Sequence, residues 1–260
     1  MALEHGLAGK VALVTGGGTG LGHAIADALA AEGVHVAIVG RRNHRGTASA
    51  LATHGVRAVA FQANLAEEAT AATLVDRTIS ELGGLDLLVC SAAVAVHEPI
   101  AEATTAAWER TLLTNVLSSM WVCRSALQHM RRTGTGSILI IGSTAQFHRA
   151  YGQAAYHVSK AALAAFATSL AIEAAPTIRV NLIVPGRFPT GLNPSAARAG
   201  TSDIPMGRPG VLAEIGPAAV FLLSNRLASY ITGAELVVSG GLHLRPMGHR
   251  GRTPLTTGPR

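Results

Sequence analysis

The feature that most constrains this chain is a regular alternation of short apolar runs with longer stretches of helical periodicity. Such an order predicts right-handed βαβ units, and therefore a parallel sheet of about seven strands with helices on both faces. The strands are expected at Lys10–Thr15, Val34–Val39, Val56–Phe61, Leu85–Val89, Ser137–Ile141, Ile178–Val184 and Glu235–Val238. The first helix is expected at Ala24–Ala31, and a polar helix after the second strand is expected to end at about His54. The other helices are expected at Glu67–Leu82, Thr104–Arg132, Ala154–Ala174 and Val211–Leu223.

Composition agrees with this architecture and gives no sign of a second domain. Hydrophobic residues make up 48% of the 260 residues and aromatic residues only 4%, so Ala, Val, Leu and Ile must build the core. Because no repeat or linker divides the chain, residues 1–242 are predicted to form one domain. Residues 243–260 are rich in Arg, Gly, Pro and Thr. They are predicted to be a basic tail, or an arm on a neighbouring subunit.

Several classes of protein are disfavoured. No apolar run is long enough to span a bilayer, and the first ten residues lack the pattern of a secretory signal, so a cytoplasmic protein is expected. The net charge of +6 comes from scattered residues without interleaved aromatics, which argues against nucleic-acid binding. Eleven histidines show no paired ligand spacing, so no metal site is predicted. Two cysteines, Cys90 and Cys123, lie in apolar runs and are interpreted as buried thiols.

A glycine-rich segment, Thr15–Gly22, joins the first predicted strand to the first helix. Glycines at such a turn allow positive φ and let the backbone approach a pyrophosphate closely. The helix that follows presents free N–H groups and the positive end of its dipole to an anion. This position within a βαβ unit predicts a dinucleotide-binding loop.

The end of the second strand indicates which dinucleotide is bound. A site selective for NAD usually has a carboxylate there to accept the ribose 2′-hydroxyl. This chain has Arg41 and Arg42 instead, and a guanidinium suits a 2′-phosphate. NADP(H) is therefore predicted, with NAD(H) as the alternative; two surface arginines without a ligand are the other interpretation left open.

Tyr156 and Lys160 lie four residues apart on a predicted helix, so they share one face. An ammonium beside a phenol is expected to lower the pKa of the tyrosine, which makes it a usable general acid or base. Ser143 follows the fifth strand and is expected at the same edge of the sheet as the glycine loop. Its hydroxyl is placed to hydrogen-bond a substrate oxygen as negative charge develops there.

Together these residues resemble the short-chain dehydrogenase/reductase family, over nearly the whole chain up to Gly241. The glycine loop is similar to the family's Thr-Gly-x-x-x-Gly-x-Gly element, and Ser143, Tyr156 and Lys160 fall in the family's order and spacing. Asn115 matches the asparagine that completes the catalytic tetrad. The resemblance implies a Rossmann-like doubly wound fold and hydride transfer between a nicotinamide and a carbonyl or alcohol substrate. It implies Tyr156 as acid/base.

The resemblance also implies roles for the other residues. Lys160 would bind the nicotinamide ribose, Ser143 would orient the carbonyl, and Asn115 would connect Lys160 to solvent. Cofactor contacts are expected from Gly16, Thr19, Gly20, Leu21, Gly22, Arg41, Arg42, Asn64, Leu65, Ala92, Asn115, Tyr156, Lys160, Pro185, Gly186, Phe188 and Thr190. The chain departs from the family's pattern in three places. Cys90-Ser91-Ala92-Ala93 stands for Asn-Asn-Ala-Gly, with only Ala92 kept, and Asn64 and Ser239 each replace an aspartate.

Substrate contacts are predicted from loops that follow the fourth, fifth and sixth strands. The candidates are Val94, His97, Ala145, Gln146, Gln153 and Arg187. His97, His148 and Arg149 leave open an acidic substrate, although such residues are more often simply exposed. The helix at Ala154–Ala174 is apolar on more than one face, which favours a homo-oligomer, a tetramer or dimer. A catalytically silent nucleotide-binding regulator remains the alternative function, but it would be expected to have lost part of the tetrad.

Overall fold

The structure, a computed structural model, describes residues 5–192 and 200–244. Its centre is a seven-stranded, all-parallel sheet with the order β3-β2-β1-β4-β5-β6-β7. The strands are β1 Val11–Thr15, β2 His35–Gly40, β3 Ala58–Gln62, β4 Leu87–Cys90, β5 Gly136–Ile141, β6 Ile178–Pro185 and β7 Glu235–Val238. The predicted fold class, a doubly wound parallel sheet, is confirmed.

The helices fill the two faces of this sheet. They are α1 Gly20–Ala31, α2 Arg45–Ala52, α3 Glu68–Ala72, α4 Leu74–Leu82, α5 Thr105–Leu112, α6 Ser118–Thr133, α7 Ala154–Ala174 and α8 Ile215–Leu223. A π-helical turn covers Leu113–Leu117, and 3₁₀ turns cover Thr144–Gln146, Leu212–Glu214 and Leu242–Leu244. None of these helices is long and apolar enough to cross a membrane.

Alternating strand residues build two separate cores. In β1, Val11 and Leu13 enter the core beneath α4, α6 and α7, whereas Ala12 and Val14 enter the core beneath α1 and α8. All five residues of β1 are buried, because both faces of the strand are covered. This two-sided burial explains why the strands are continuous apolar runs rather than alternating patterns.

Two predicted helices are interrupted in the structure. The stretch Glu67–Leu82 breaks at Thr73 into α3 and α4, and the stretch Thr104–Arg132 contains the π-helical turn. Neither break falls at a proline or glycine, the residues that most often end a helix, so the sequence predicts continuous helices. Strands β3 and β4 begin two residues later than predicted, at Ala58 and Leu87.

The topology sets the place of the site. Strands β1 to β3 extend the sheet in one direction and β4 to β7 in the other, so the order of the strands reverses between β1 and β4. In open parallel sheets a crevice forms at this point, outside the carboxyl ends of the strands. The predicted tail lies outside the described residues from residue 245 onward.

Candidate active site

Three cavities that share lining residues form a groove along the carboxyl edge of the sheet. We call them the arginine cavity (about 500 Å³, with Arg41, Arg42 and Asn64), the central cavity (about 430 Å³, with Gly20, Gly22 and Lys160) and the tyrosine cavity (about 490 Å³, with Ser143, Thr144 and Gln153). Tyr156 and Thr190 line both the central and the tyrosine cavity, while Arg41 and Arg42 line both the central and the arginine cavity.

The glycine loop forms one wall of this groove, and Gly16, Thr19, Gly20, Leu21 and Gly22 line the central cavity. Gly16 and Gly20 have φ of 67° and 59°, which glycine adopts without strain. A Cβ on Gly22 would lie 2.4 Å from the carbonyl oxygen of Gly16, so the loop can close on α1 only with glycine there. The first turn of α1, which begins at Gly20, leaves backbone N–H groups for an anion. The cradle fits the pyrophosphate of a dinucleotide.

Thr15 explains how the unusual Cys90-Ser91-Ala92-Ala93 segment is accommodated. Its hydroxyl accepts hydrogen bonds from the backbone N–H groups of Ser91 (3.0 Å) and Ala92 (3.3 Å). It donates to the carbonyl of Val89 at 3.4 Å. A Cβ on Gly16 would lie 2.9 Å from the Ala92 backbone, so the two loops run in close contact. The small side chains of Ser91, which replaces an asparagine, and of Ala92, which is kept, preserve this approach.

The arginine cavity has a positive lining. Among its described residues the charged side chains are those of Arg41 and Arg42, both exposed, and no carboxylate lines it. Asn64 and Leu65, two of the expected cofactor contacts, also line it. The Asn64 amide group donates to Glu67 Oε1 at 2.7 Å, and its oxygen accepts from the N–H of Ala66 at 3.3 Å. Asn64 therefore shapes the turn after β3.

His44 is a residue of this cavity that sequence reasoning missed. Its ring lies against the glycine loop, since a Cβ on Gly18 or Gly40 would come within 2.4 or 2.8 Å of ring atoms. Burial lowers the pKa of His44, and the positive charge of Arg42 adds to this effect. A single histidine in a polar loop is not part of any motif that would predict a binding role. Its only clue is its place just after Arg41-Arg42.

The catalytic candidates meet where the central and tyrosine cavities join. Ser143 follows β5 and Tyr156 lies in the first turn of α7, as predicted. The Ser143 hydroxyl accepts from the N–H of Ala145 at 3.1 Å and is also hydrogen-bonded to the Tyr156 side chain. Since the oxygen of Ser143 is already an acceptor, its O–H is available to donate toward the phenol oxygen.

The predicted effect of Lys160 on Tyr156 needs correction. Burial raises the pKa of Tyr156 above its ordinary value, and the hydrogen bond with Ser143 opposes that rise. The ammonium of Lys160 donates to the carbonyl of Ile141 at 2.9 Å, and it lies 5.8 Å from the centre of the Tyr156 ring. Burial lowers the pKa of Lys160 to about 8. The phenol is therefore protonated at neutral pH, which suits a general acid.

Asn115 is fully buried in the π-helical turn, and among the described residues no hydrogen bond joins its side chain to Lys160. Its side chain accepts from the N–H of Val94 (2.8 Å) and donates to the carbonyl of Val94 (2.9 Å). It also donates to the hydroxyl of Ser159 at 3.0 Å. These bonds fix the loop after β4 against α7, so Asn115 positions two walls of the central cavity.

The predicted substrate contacts are only partly brought together. Ala145, Gln153 and Arg187 line the tyrosine cavity, whereas Val94 lines the other two cavities. Gln146 and His97 are not among the described residues that line any of the three. Gln146 donates to Glu235 Oε2 at 2.7 Å instead, and the His97 ring packs against Gly152. The family resemblance also implies a substrate lid at about Gly191–Pro205, of which residues 193–199 lie outside the described residues.

On the β6 side, the predicted cofactor residues follow the strand end. Pro185, Gly186, Phe188 and Thr190 all line the tyrosine cavity. A Cβ on Gly186 would lie 2.7 Å from Ser239, so the residue that replaces the family's aspartate packs directly against this turn. Phe188 is 5% exposed and is held in the core beneath α1 and α8. Its backbone can therefore border the groove at a fixed place.

Comparisons with known proteins agree with the geometry. A family model described as enoyl-(acyl carrier protein) reductase matches residues 16–243. The 3-oxoacyl-[acyl-carrier-protein] reductase of Rattus norvegicus is 36% identical over 237 residues, which cover 90% of this chain and 98% of that protein.

Solved structures extend this agreement to the fold. The NADPH-dependent 3-quinuclidinone reductase of Rhodotorula rubra is 31% identical with a TM-score of 0.88, over 93% of this chain and 94% of that one. The RhlG/NADP active-site complex of Pseudomonas aeruginosa is 33% identical with a TM-score of 0.86, over 94% and 100% of the two chains. The resemblance seen in the sequence is thus confirmed, and the chain belongs to the short-chain dehydrogenase/reductase family of oxidoreductases.

Proposed function

We propose that this chain is an NADP(H)-dependent ketoreductase or alcohol dehydrogenase that acts on a small carbonyl or alcohol substrate. The observation that carries the proposal is one groove with a Ser143–Tyr156 pair at one end and an arginine pair at the other. The relatives support it, since one is named as NADPH-dependent and another is described with NADP. Their printed names cover different substrates, so they leave the substrate of this chain open.

The residues fit the cofactor along the whole groove. The glycine loop and the start of α1 would hold the pyrophosphate, Arg41 and Arg42 would hold the 2′-phosphate, and Lys160 would bind the nicotinamide ribose. When bound, the reduced nicotinamide supplies the hydride that adds to the carbonyl carbon.

The protein's own contribution is the proton. Tyr156 donates its phenolic proton to the carbonyl oxygen, which becomes the alcohol oxygen, and in the opposite direction the phenolate removes that proton. Ser143 donates a hydrogen bond to the same oxygen as negative charge develops on it. Burial keeps the phenol protonated at neutral pH, which favours carbonyl reduction as the assayed direction.

The direct test is oxidation of NADPH, followed by absorbance, against a panel of small ketones, quinones and acyl-thioester carbonyls. We expect at least one member to be reduced with NADPH in preference to NADH. A panel in which no member is reduced with either nucleotide, although both bind, would favour the silent regulator instead.

Arg41→Ala tests the assignment of the cofactor. We expect the Kd for NADPH to rise about 10-fold, because a charge-assisted hydrogen bond to the 2′-phosphate is lost, with a much smaller change for NADH. The measurement is a fluorescence titration with each nucleotide. Arg45→Ala is the matched control, since Arg45 is exposed nearby at the start of α2 but is not among the described lining of the groove. Equal losses for NADPH and NADH in Arg41→Ala would refute a 2′-phosphate contact.

Self-association remains a prediction that the surface of α7 supports. Val158 and Ile172 on this helix are 47% and 81% exposed, which is unusual for large aliphatic side chains on a catalytic helix. We propose a homo-oligomer that covers this helix, and sedimentation of the wild-type protein would establish its size. A cytoplasmic location likewise stays a prediction.

A further inference from the structure

The tyrosine cavity contains more positive charge than its negative groups neutralise. Among the described residues that line it, Asp203 is the one carboxylate. Asp203 is already paired, because Arg187 donates to its two oxygens at 3.0 and 2.5 Å. Arg149 also lines the cavity, and within the described part of the chain its guanidinium has no carboxylate partner. One full positive charge is therefore left beside the catalytic pair.

The Arg149 side chain is exposed, and a hydrogen bond to the backbone holds one of its nitrogens in place. Its Nη1 donates to the carbonyl oxygen of Ala145 at 2.7 Å, four residues earlier on the same loop. The next residue, Ala150, donates its N–H to Nε2 of His157 on α7 at 3.3 Å. These bonds fix both ends of the short segment that carries Arg149. Nε and Nη2 of the guanidinium remain to form the two-pronged contact that suits an oxyanion.

His157 adds no charge to this wall. Its Nε2 accepts a hydrogen bond, so this nitrogen carries no proton in the structure. Burial lowers the pKa of His157, and the positive charge of Arg149 adds to the effect. The electrostatic character of the wall is therefore set by Arg149, with His157 as the group that positions its loop.

His148 provides a second polar group that a ligand would satisfy. His148 is among the residues that line the tyrosine cavity, and its Nε2 is buried without a hydrogen-bond partner among the described residues. Buried polar atoms are nearly always paired in folded proteins, and those left over tend to mark binding sites. Nε2 of His148 can donate to an anionic oxygen when it carries the proton.

We propose that the substrate is a carbonyl compound bearing an oxyanion, a carboxylate or a phosphate, which binds to Arg149 and His148 while its carbonyl meets Ser143 and Tyr156. This inference rests on the proposed reductase activity. The cavity volume of about 490 Å³ suits a compact molecule. Arg149 and Tyr156 line the same cavity, so the anionic group and the carbonyl belong to one small molecule.

Matched pairs of probes test the charge of the substrate directly. Acetoacetate is compared with methyl acetoacetate, and dihydroxyacetone phosphate with dihydroxyacetone, each as kcat/KM with saturating NADPH. We expect one anion to be reduced at least about 10-fold more efficiently than its neutral partner, mainly through KM. The pair that shows this preference identifies carboxylate or phosphate as the anion.

Arg149→Gln then tests the residue. The ratio of kcat/KM for the anion to kcat/KM for its neutral partner should fall about 10-fold, and Arg149→Lys should restore part of it. Arg131→Gln is the matched control, because Arg131 also donates to a backbone carbonyl, that of Glu173 at 2.8 Å, but is not among the described lining of the cavity. In this control the ratio should stay at its wild-type value.

The outcomes separate this inference from the proposed function. If neutral ketones are reduced as well as anionic ones, or if Arg149→Gln leaves the ratio unchanged, the anion site is overturned and the reductase stands. If no carbonyl compound is reduced with NADPH, the proposed function itself fails. Should Arg149→Gln not fold, competitive inhibition of wild-type protein by a non-reducible carboxylate, phosphonate or neutral amide replaces it, and equal inhibition by all three overturns the inference.

Discussion

Tyr156→Phe should lower kcat for carbonyl reduction by about 1,000-fold, because general acid catalysis contributes on that order and phenylalanine has no proton to donate. The Kd for NADPH should change by less than about three-fold, since the glycine loop and the arginine pair are untouched. Steady-state kinetics and a nucleotide titration on the same preparation measure the two effects. Circular dichroism confirms that the variant is folded.

A result with most of the activity retained would remove Tyr156 from the role of acid. The Ser143→Ala variant gives a useful comparison, because it leaves the phenol in place but removes its hydrogen-bond partner. Burial raises the pKa of Tyr156, and the hydrogen bond with Ser143 lowers it. The pKa of Tyr156 should therefore be higher in Ser143→Ala than in the wild type. The activity that depends on the phenolate, alcohol oxidation, should then require a higher pH than in the wild type.

Lys160→Met should lower activity by at least about 100-fold and at the same time change how stability depends on pH. Lys160 is 3% exposed, and burial lowers its pKa to about 8 from 10.5. Above about pH 8 the folded protein has lost this proton while the unfolded chain still holds it, until about pH 10.5. In that window the unfolded state binds more protons, so the free energy of unfolding rises with pH.

The size of the effect follows from the proton count. Between pH 7 and pH 9.5 the wild type should gain about 2 kcal/mol over Lys160→Met, at about 1.4 kcal/mol for each pH unit above the folded pKa. Urea denaturation of the cofactor-free proteins at the two pH values measures it. Methionine is similar in length and does not titrate, so other groups cancel in the difference. Parallel changes in the two proteins would show that Lys160 keeps an ordinary pKa.

The sequence was sufficient for the fold because every signal it needed is local. Each strand is an apolar run, each crossover has helical periodicity, and the parallel arrangement follows from their order. The breaks at Thr73 and at Leu113–Leu117 were not predictable, since no helix-breaking residue marks them in the sequence. The π-helical turn is the consequential one, because it carries Asn115 into the bonds with Val94 and Ser159.

The candidate site was predictable in its members but not in their contacts. Motif order placed Ser143, Tyr156 and Lys160 at one edge, and the structure brings them there. That Lys160 would bond to Ile141, and that the pKa of Tyr156 would be raised, depends on burial, which spacing along a helix does not encode. Gln146 was misassigned for a similar reason, since its partner Glu235 lies 89 residues away on β7.

The segment between Ser143 and Tyr156 has a consequence for how this protein can be changed. Both of its ends are anchored, one at the end of β5 and the other in the first turn of α7. Its middle supplies His148, Arg149 and Gln153 to the wall of the tyrosine cavity. Exchange of these ten or so positions would alter which molecules are accepted while the proton donor stays in register. Substitutions in this segment can therefore change the substrate selectivity, in evolution or by engineering, while the catalytic residues keep their positions.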